Sequence, residues 1–526
     1  MRKFLASLVV AGAAFAVVAE DPKPAAPAKK AEEKKPEEKK PEAKPAVAKK
    51  RAEPTLHVGD APPALTADQW LQGAEVKSFE KGKIYVVEFW ATWCGPCIVM
   101  MPHMAEMQHE FKDRGVTFIG YSKKDQNNTL EKVEAFVKRR GPKLGYTFCF
   151  GEEKDVYDSW MGAAGQNGIP CCFVVDRETK IAYIGHPMYL DLVLPKVVEG
   201  KYSPDDAKAV DAAEKDTDAV FEALSGKPED ALKALANFEK KYPSMDKVPY
   251  FVAPRLMNTL KSKKYDDALI LAKNLVARGR KTSDESLLGT VTAVLSGPET
   301  KGQKGLRDLA VTAADEALAL AGEKDLRALM GVAQASFAAG NKSKGKEYAI
   351  KTLAVAEERS KANVGMTLSG AAIGAGEKAL GIELAEKAIE AGGERMKSGL
   401  QAQLAGYFVA AGDKASGAEY AKLAIESAPA TGKATIKSTL AVTYLRAGDK
   451  KTGDTYAKEA IEGAAEAALP IMYYNLANAY YGIGEKVTAH DYAEKAIEKA
   501  PAQLQRQLKP ALKKIIDDPD GKTTDK

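Results

Sequence analysis

The pair of cysteines at positions 94 and 97 has the clearest capacity for chemistry in this sequence. Cys94 and Cys97 enclose Gly95-Pro96, and they stand between an apolar run at 84–90 and a helical pattern. The amides and dipole of a helix N-terminus favour a thiolate, so we expect a lowered Cys94 pKa. The two-residue gap lets the sulfurs open and close as a disulfide. Zinc would need a second pair of ligands at suitable spacing, which the sequence lacks. The pattern predicts a redox pair with no metal and no cofactor.

The other reactive residue types are concentrated in the same part of the chain. All five cysteines, all four tryptophans and four of the five histidines precede residue 187. The net charge of +5, from 77 basic and 72 acidic residues, is too small for a nucleic-acid footprint. We therefore expect the chemistry in the first 200 residues, a scaffold after them, and no nucleic-acid partner.

The first 56 residues have the pattern of an export signal followed by a tether. A basic start, an apolar run from Phe4 to Val18 and small residues near Ala19 predict a signal peptide at 1–19, with an uncleaved anchor as the alternative. Residues 20–56 are mostly Ala, Lys, Glu and Pro, which predicts a disordered linker. We expect this linker to act as a spacer, with attachment to an anionic surface as the alternative. The predicted localisation is exported and periplasmic.

The segment 87–97, Val-Glu-Phe-Trp-Ala-Thr-Trp-Cys-Gly-Pro-Cys, resembles the thioredoxin superfamily. With the export signal, it is most similar to the periplasmic TlpA/ResA-type branch. The likeness covers residues 57–200: Pro102 stands where this family kinks its active-site helix, and Gly168-Ile169-Pro170 matches its cis-proline loop. The resemblance implies an α/β thioredoxin fold at 57–200.

The resemblance also implies roles for individual residues. Cys94 would be the exposed attacking thiolate and Cys97 the more buried resolving thiol. Pro170 in the cis form would lie against the pair and present the Ile169 backbone to a substrate peptide. Trp93, Gly95 and Pro96 complete the active-site motif. The implied partners are substrate proteins with disulfides and a membrane electron donor.

Glu88 lies six residues before Cys94, within the apolar run. In a central strand its carboxyl would be desolvated and its pKa raised, so that it could exchange the Cys97 proton as a general base. The alternative is a solvated glutamate at an edge.

Two further groups of residues depart from the family pattern. Strand alternation points one of Cys171 and Cys172 toward the active site and the other into the core, as packing residues or as a third exchanging thiol. Cys149 is predicted to be buried in a strand. The methionines and histidines of segment 100–109 fit either core packing or a copper(I) site.

From residue 205 the sequence changes to Ala, Leu, Lys and Glu at helical spacing, and glycines between 340 and 484 recur at a constant step of 36 residues. Glycines at 340, 376, 412, 448 and 484 share this step, and four of the five positions that follow each by five residues are also glycine. We predict a helix, a Gly-centred turn and a second helix per repeat, with small residues where the helices approach closely. The pattern is similar to tetratricopeptide repeats, which implies an all-α solenoid at 205–515 before a polar tail at 516–526.

The repeats predict a surface that binds a protein partner, with a spacer or oligomerisation stack as the alternative. Tyr348, Tyr420, Tyr456 and Tyr492 recur in register and are either packing residues or a recognition stripe. Together the features predict an exported thiol-disulfide oxidoreductase that reduces protein disulfides through Cys94 and Cys97. The alternative is a repeat-based binding or scaffold protein with a redox-gated thioredoxin module.

Overall fold

The computed structural model describes residues 53–518, apart from Lys154 and Ser225. The predicted signal peptide, nearly all of the predicted linker and residues 519–526 of the predicted tail lie outside these residues. The chain divides into two compact units, one ending at Lys263 and one beginning at Lys264. In the described residues, no helix is both long and apolar enough to cross a membrane.

A mixed sheet forms the centre of the first unit. Its strands are β1 (Gln69–Gln72), β2 (Ile84–Trp90), β3 (Val116–Lys123), β4 (Thr147–Gly151), β5 (Cys171–Val175) and β6 (Ile181–Gly185). They lie in the order β1-β4-β3-β2-β5-β6, with β2, β3 and β4 parallel and the remaining pairs antiparallel. Every residue of β2 is buried, as expected for a continuous apolar run covered on both faces. The predicted thioredoxin-like α/β fold is confirmed.

Helices cover both faces of this sheet. They are α1 (Gly95–Phe111), α2 (Leu130–Leu144), α3 (Asp155–Tyr157, continued by a π turn at Asp158–Gly162), α4 (Leu190–Val198), α5 (Pro204–Ala223), α6 (Pro228–Lys241) and α7 (Val252–Lys261). Short 3-10 turns lie at Lys112–Arg114, Pro187–Tyr189, Pro243–Met245 and Pro249–Phe251. Ser203 starts α5 through a capping box with Asp206, and Pro204 takes the first helical position, where its missing N–H costs nothing.

The compact unit of the sheet extends beyond the predicted domain limit at residue 200. Apolar side chains of α5, α6 and the turn at Pro249–Phe251, among them Phe221, Phe238 and Phe251, belong to the same buried cluster as Met100 and Cys97 of α1. The sequence instead assigned everything from 205 onward to the repeats. Helical periodicity is the same in both settings, so it does not say which core a helix joins.

The second unit is all-helical in the described residues. Its helices are α8 (Tyr265–Thr282), α9 (Glu285–Leu295), α10 (Lys304–Ala321), α11 (Leu326–Ala338), α12 (Lys342–Val355), α13 (Glu358–Gly374), α14 (Lys378–Ala410), α15 (Lys414–Ser427), α16 (Lys433–Arg446), α17 (Lys450–Glu462), α18 (Leu469–Gly482), α19 (Lys486–Lys499) and α20 (Ala502–Ile516). Segment α14 is two helices, because Gly393 between them has non-helical angles (φ 63°, ψ −175°).

The repeating glycines occupy the turns between paired helices, as predicted. Gly340, Gly376, Gly412, Gly448 and Gly484 all have φ between 80° and 85°, a conformation that favours glycine. The following residue caps the next helix in three of these turns, where the side chains of Asn341, Asp413 and Asp449 accept a backbone N–H. The first helix of a hairpin also packs against the first helix of the next one, as in α11 with α13 and α16 with α18.

The second glycine column marks the closest approach within each hairpin. A Cβ atom would lie 2.6 Å from Phe337 at Gly345, 2.4 Å from Ile373 at Gly381, 2.5 Å from Val409 at Gly417 and 2.6 Å from Leu445 at Gly453. Each of these distances is too short for a real Cβ contact. The predicted reason for small residues at this position is therefore confirmed.

Three of the four recurring tyrosines pack against another aromatic ring within their own hairpin. Tyr420 stacks on Phe408 with the ring centroids 5.5 Å apart, and Tyr456 lies 5.6 Å from Tyr444. Tyr492 stacks on both Tyr473 and Tyr480. These contacts favour packing over a recognition stripe.

Candidate active site

The two cysteines of the redox motif are joined as a disulfide at the start of α1. Their Cα atoms are 5.3 Å apart. Cys94 is the N-cap residue of the helix, and the Cys97 N–H donates a hydrogen bond to its Sγ at 3.2 Å. In the reduced chain the same amide and the helix dipole would favour a thiolate on Cys94.

The accessibility of Cys94 differs from the expectation. The resemblance implies an exposed Cys94, but in the disulfide form it is only 3% exposed, and Cys97 is fully buried. The side chain of Cys94 turns inward, because it bonds Cys97 and caps the helix. The two residues next to Cys94 are exposed instead: Gly95 is exposed, and Trp93 is 55% exposed.

A buried asparagine holds the loop that precedes the disulfide. Asn128 accepts hydrogen bonds from the backbone N–H and the hydroxyl of Thr92, both at 2.8 Å, and donates to the Ser122 hydroxyl and the Lys123 carbonyl. The indole N–H of Trp93 donates to Asp125 at 2.9 Å. Sequence reasoning missed Asn128, although a polar turn directly after a buried strand is a signal that could have identified it.

The loop opposite the disulfide contains the predicted cis-proline. The Ile169-Pro170 peptide bond is cis, as predicted, and Pro170 is buried while Ile169 is half-buried. A cavity of about 290 Å³ lies between this loop and Trp93. Its lining includes Phe89, Tyr121, Lys123, Tyr157, Gly168 and Ile169. A mainly apolar cavity with one cation, Lys123, and one anion, Asp125, in its lining suits a substrate side chain next to the disulfide.

Glu88 is buried in the central strand, which excludes the solvated alternative. It is 1% exposed, and neither carboxyl oxygen has a hydrogen-bond partner in the described residues. Burial raises its pKa well above the usual value for a glutamate. A carboxyl of this kind suits proton exchange. Its proposed exchange with Cys97 stays a prediction.

The three other cysteines are buried thiols. Cys172 shares the core of α1, and Cys171 faces the opposite core, as strand alternation predicts. Burial raises the pKa of Cys171 to about 12 and the pKa of Cys149 and Cys172 well above their usual value. Because the thiolate is the nucleophile, these cysteines act as packing residues in this state.

The methionines of α1 belong to the core, which favours packing over copper binding. Met100, Met101, Met104 and Met107 are all buried. His103 contacts Asp191 of α4 at 2.8 Å. In the described chain no group of three or more His, Cys, Asp or Glu side chains is placed to hold a metal ion.

Sequence reasoning also missed Tyr250. Its hydroxyl donates to the carbonyl oxygen of Pro96, between the two cysteines, at 2.9 Å. The ring of His186 lies 5.5 Å away, and burial lowers the His186 pKa to about 3, so its imidazole is neutral. A cluster of aromatic residues at 238–251, unlike the Ala-rich repeats, is the signal that could have identified this segment.

Comparison with known proteins identifies several that are similar to the sheet-containing part of the chain. A model described as the AhpC/TSA family matches residues 58–184. Protein FixW of Rhizobium leguminosarum is 32% identical over 152 residues, which are 28% of this chain and 69% of FixW. The thiol-disulfide oxidoreductase ResA of Bacillus thuringiensis subsp. konkukian is 31% identical over 130 residues, 24% of this chain and 69% of ResA. A solved thioredoxin domain of a thiol-disulfide oxidoreductase from Bacteroides vulgatus is 28% identical, covers 24% of this chain and 88% of that domain, and gives a TM-score of 0.22.

The sheet order, the disulfide at the start of α1 and the cis-proline loop define a thioredoxin-fold protein of the oxidoreductase class. With the relatives above, the chain belongs to the thioredoxin-fold family of thiol-disulfide oxidoreductases that includes ResA.

Proposed function

We propose that this chain is an exported thiol-disulfide oxidoreductase that reduces disulfides in substrate proteins through Cys94 and Cys97. The observation that carries the proposal is the Cys94-Cys97 disulfide at the N-terminus of α1, next to the cis-proline loop. The relative named ResA is a thiol-disulfide oxidoreductase, which is consistent with this activity. The residues used need no cofactor and no metal.

The proposed reaction consists of two exchanges. The Cys94 thiolate attacks one sulfur of a substrate disulfide, which forms a mixed disulfide and releases the other substrate sulfur as a thiolate that takes up a proton. Cys97 then loses its proton, to the ionised carboxylate of Glu88 in this proposal, and attacks the Cys94 sulfur. This step closes the Cys94-Cys97 disulfide and releases the second substrate thiol. Two electrons pass to the substrate, and a dithiol donor in the membrane returns two electrons to the pair.

The cavity beside Trp93 is the proposed site for a substrate side chain. Trp93 and Ile169 stand at its two sides, so a peptide held along the Ile169 backbone would place a neighbouring side chain there. Phe89, Tyr121 and Tyr157 favour an apolar or aromatic group. Lys123, whose ammonium lies 3.7 Å from the centroid of the Tyr157 ring, and Asp125 both line the cavity, so their opposite charges select neither an acidic nor a basic group.

The activity is tested by reduction of insulin disulfides with the pre-reduced full chain. We expect Cys94→Ser to abolish reduction, because the attacking sulfur is lost. Cys149→Ser is the matched control, since it removes a buried thiol in another strand, and it should keep the wild-type rate. Wild-type turnover in Cys94→Ser would overturn the proposal.

We also propose that the hairpins from Lys264 onward are tetratricopeptide-like repeats that bind a protein partner. The 36-residue step and the stacking of successive hairpins support this proposal. The test compares full-length Cys97→Ser, which should trap substrates as mixed disulfides, with Cys94→Ser/Cys97→Ser. Proteins bound covalently by the first variant alone are redox substrates, whereas proteins bound equally by both variants are partners of the repeats. If the double variant retains no protein, the repeat proposal is wrong.

Export to the periplasm is the final part of the proposal. It is supported by the basic start and apolar run of residues 1–19. Cell fractionation of the full chain, compared with a chain that lacks residues 2–19, tests it. Equal cytoplasmic recovery of both chains would contradict export.

A further inference from the structure

The turn at Pro249–Phe251 brings a tyrosine to the active-site disulfide from a distant part of the chain. Tyr250 is 8% exposed, and its hydroxyl donates to the Pro96 carbonyl oxygen at 2.9 Å across a separation of 154 residues. Tyr250, Val248 and Phe251 belong to the same buried cluster as Cys94 and Cys97. The position of the hydroxyl is therefore set by dense packing on the active-site helix.

The peptide group that Tyr250 contacts is also the group that contacts the nucleophile. The Pro96 carbonyl and the Cys97 N–H belong to one peptide bond, and this N–H donates to Cys94 Sγ at 3.2 Å. A hydrogen bond to the carbonyl of an amide polarises it and strengthens the hydrogen bond made by its N–H. The three groups therefore form a relay from the Tyr250 hydroxyl, through the peptide, to the Cys94 sulfur.

Among the ionisable groups around this relay, the Tyr250 hydroxyl stays protonated and therefore remains a hydrogen-bond donor. In the described residues, Glu88 on β2 and His186 before α4 act directly on Tyr250, and Tyr146, Cys172, Tyr183 and Tyr189 belong to the same buried cluster. His103 on α1 pairs with Asp191, and Asp125 after β3 accepts a hydrogen bond from Trp93. Burial, together with the Glu88 charge, raises the pKa of Tyr250 well above the usual value for a tyrosine. The hydroxyl thus keeps its proton throughout the pH range in which thiols titrate.

We propose that Tyr250 is a positioning residue that stabilises the Cys94 thiolate by polarising the Pro96-Cys97 peptide. This inference rests on the proposed function for the identity of the nucleophile. It also assigns a role in redox chemistry to a segment that follows the thioredoxin-like part of the chain. A chain without this segment would hold the same Cys-Gly-Pro-Cys motif with a weaker N–H donor to Cys94.

The test measures the Cys94 thiolate directly in the reduced full chain. The rate at which iodoacetamide alkylates Cys94 is followed by mass spectrometry as a function of pH, because the thiolate displaces iodide and the thiol does not. In Tyr250→Phe we expect the midpoint of this profile to move to higher pH, because the Cys94 thiolate is less stabilised. Alkylation below the midpoint should fall about two- to fourfold, as expected for a partial loss of hydrogen-bond strength to a charged group. Above the midpoint the rate should be unchanged.

Tyr242→Phe is the matched control, because it removes a buried tyrosine hydroxyl of the same segment that donates to Asp216 and not to α1. Its midpoint should equal that of the wild type. A purely structural role for Tyr250 would lower the unfolding temperature of Tyr250→Phe and leave its midpoint unchanged, and that result would overturn the proposal. If Tyr250→Phe does not fold, 3-fluorotyrosine at position 250 replaces it. The hydroxyl of 3-fluorotyrosine is a stronger hydrogen-bond donor than that of tyrosine, so the midpoint of the alkylation profile should move to lower pH. An unchanged midpoint would count against the relay.

The assay contains no substrate protein, so its outcome is separate from the test of the proposed function. A chain that fails to reduce insulin can still show the Tyr250 effect on Cys94. A chain that reduces insulin can equally lack that effect.

Discussion

In the second unit, here called the helical unit, the closest packing within each hairpin joins residues near in sequence. In the first unit, here called the redox unit, several contacts around the active site join distant residues. Gly345 lies against Phe337 and Gly453 against Leu445, eight positions away in each hairpin. In the redox unit, His103 contacts Asp191 across 88 residues and Tyr250 contacts Pro96 across 154. Local contacts recur in every repeat, so the repeat pattern in the sequence predicts them. Distant contacts depend on how the whole core assembles, so the sequence pattern does not predict them.

The largest expected effect breaks the local contact of a hairpin. In Gly381→Val, the new Cβ would lie 2.4 Å from Ile373 and 3.2 Å from the Ser369 carbonyl oxygen, so the two helices must separate. We expect the helical unit to lose about 2–3 kcal/mol of stability, as for an overpacked core. Urea unfolding followed by circular dichroism measures the change.

The matched control is Gly374→Ala, since a Cβ there has no atom within 4 Å. This variant should be as stable as the wild type or slightly more stable, because alanine favours a helix. Insulin reduction should be the same in both variants. Equal stability of Gly381→Val and the wild type would show that close approach does not explain the glycine column.

The second prediction breaks a distant contact of the redox unit. Asn128→Ala removes both hydrogen bonds to Thr92 and leaves two partly buried donors unpaired, so the loop before Cys94 loses its anchor. We expect kcat/KM for insulin reduction to fall about tenfold, because the reacting sulfur is misplaced. Asn127→Ala is the control, because the contacts of Asn127 with Asp125 and Lys132 use only its backbone. Equal rates in both variants would refute the anchoring role.

The third prediction concerns the pH dependence that Glu88 gives to stability. Its pKa is raised by burial, so the folded chain binds this proton more tightly than the unfolded chain does. The contribution of Glu88 is therefore complete below the unfolded pKa, near 4.5, and is lost as the pH rises through the folded pKa. In Glu88→Gln the side chain does not ionise, so the variant does not lose this stability as the pH rises.

Urea unfolding at pH 4 and at pH 8 measures the difference. We expect Glu88→Gln to gain stability relative to the wild type between these two pH values. Glu110→Gln, a substitution at the exposed end of α1, should show no such gain. A constant difference between Glu88→Gln and the wild type would mean that the Glu88 pKa is not raised.

The smallest expected effect concerns ion pairs that link successive turns of the repeats. Lys342 pairs with Glu377, Lys378 with Asp413 and Lys414 with Asp449. The Lys378 pair lowers the Asp413 pKa to about 2, chiefly through its hydrogen bond. Because the lysine of each pair is at least half exposed, Lys378→Ala should leave the unfolding temperature unchanged within error. A clear decrease would mean that the ion pairs, and not only the glycine contacts, hold the hairpins together.

The sequence predicted best those features that depend on a few neighbouring residues rather than on the whole fold. Cys94 and Cys97 at their spacing predicted the disulfide, whereas the cis form of the Ile169-Pro170 bond was implied by the resemblance to the family's cis-proline loop. Glu88 is buried, which is the first of the two alternatives that its place in an apolar run left open. By contrast, the burial of Cys94 was not predicted, because exposure depends on the surrounding loops and not on the motif.

Sequence by itself determined the redox pair, the strand-to-helix motif around it and the helix–glycine–helix repeat. These features follow from bond geometry, helix termini and the backbone freedom of glycine, which act within a few residues. Only the tertiary structure decided that α5, α6 and the turn at Pro249–Phe251 join the core of α1, and that Tyr250 reaches Pro96. The physical reason is that an amphipathic helix must bury its apolar face, but its own sequence does not specify which core will cover it.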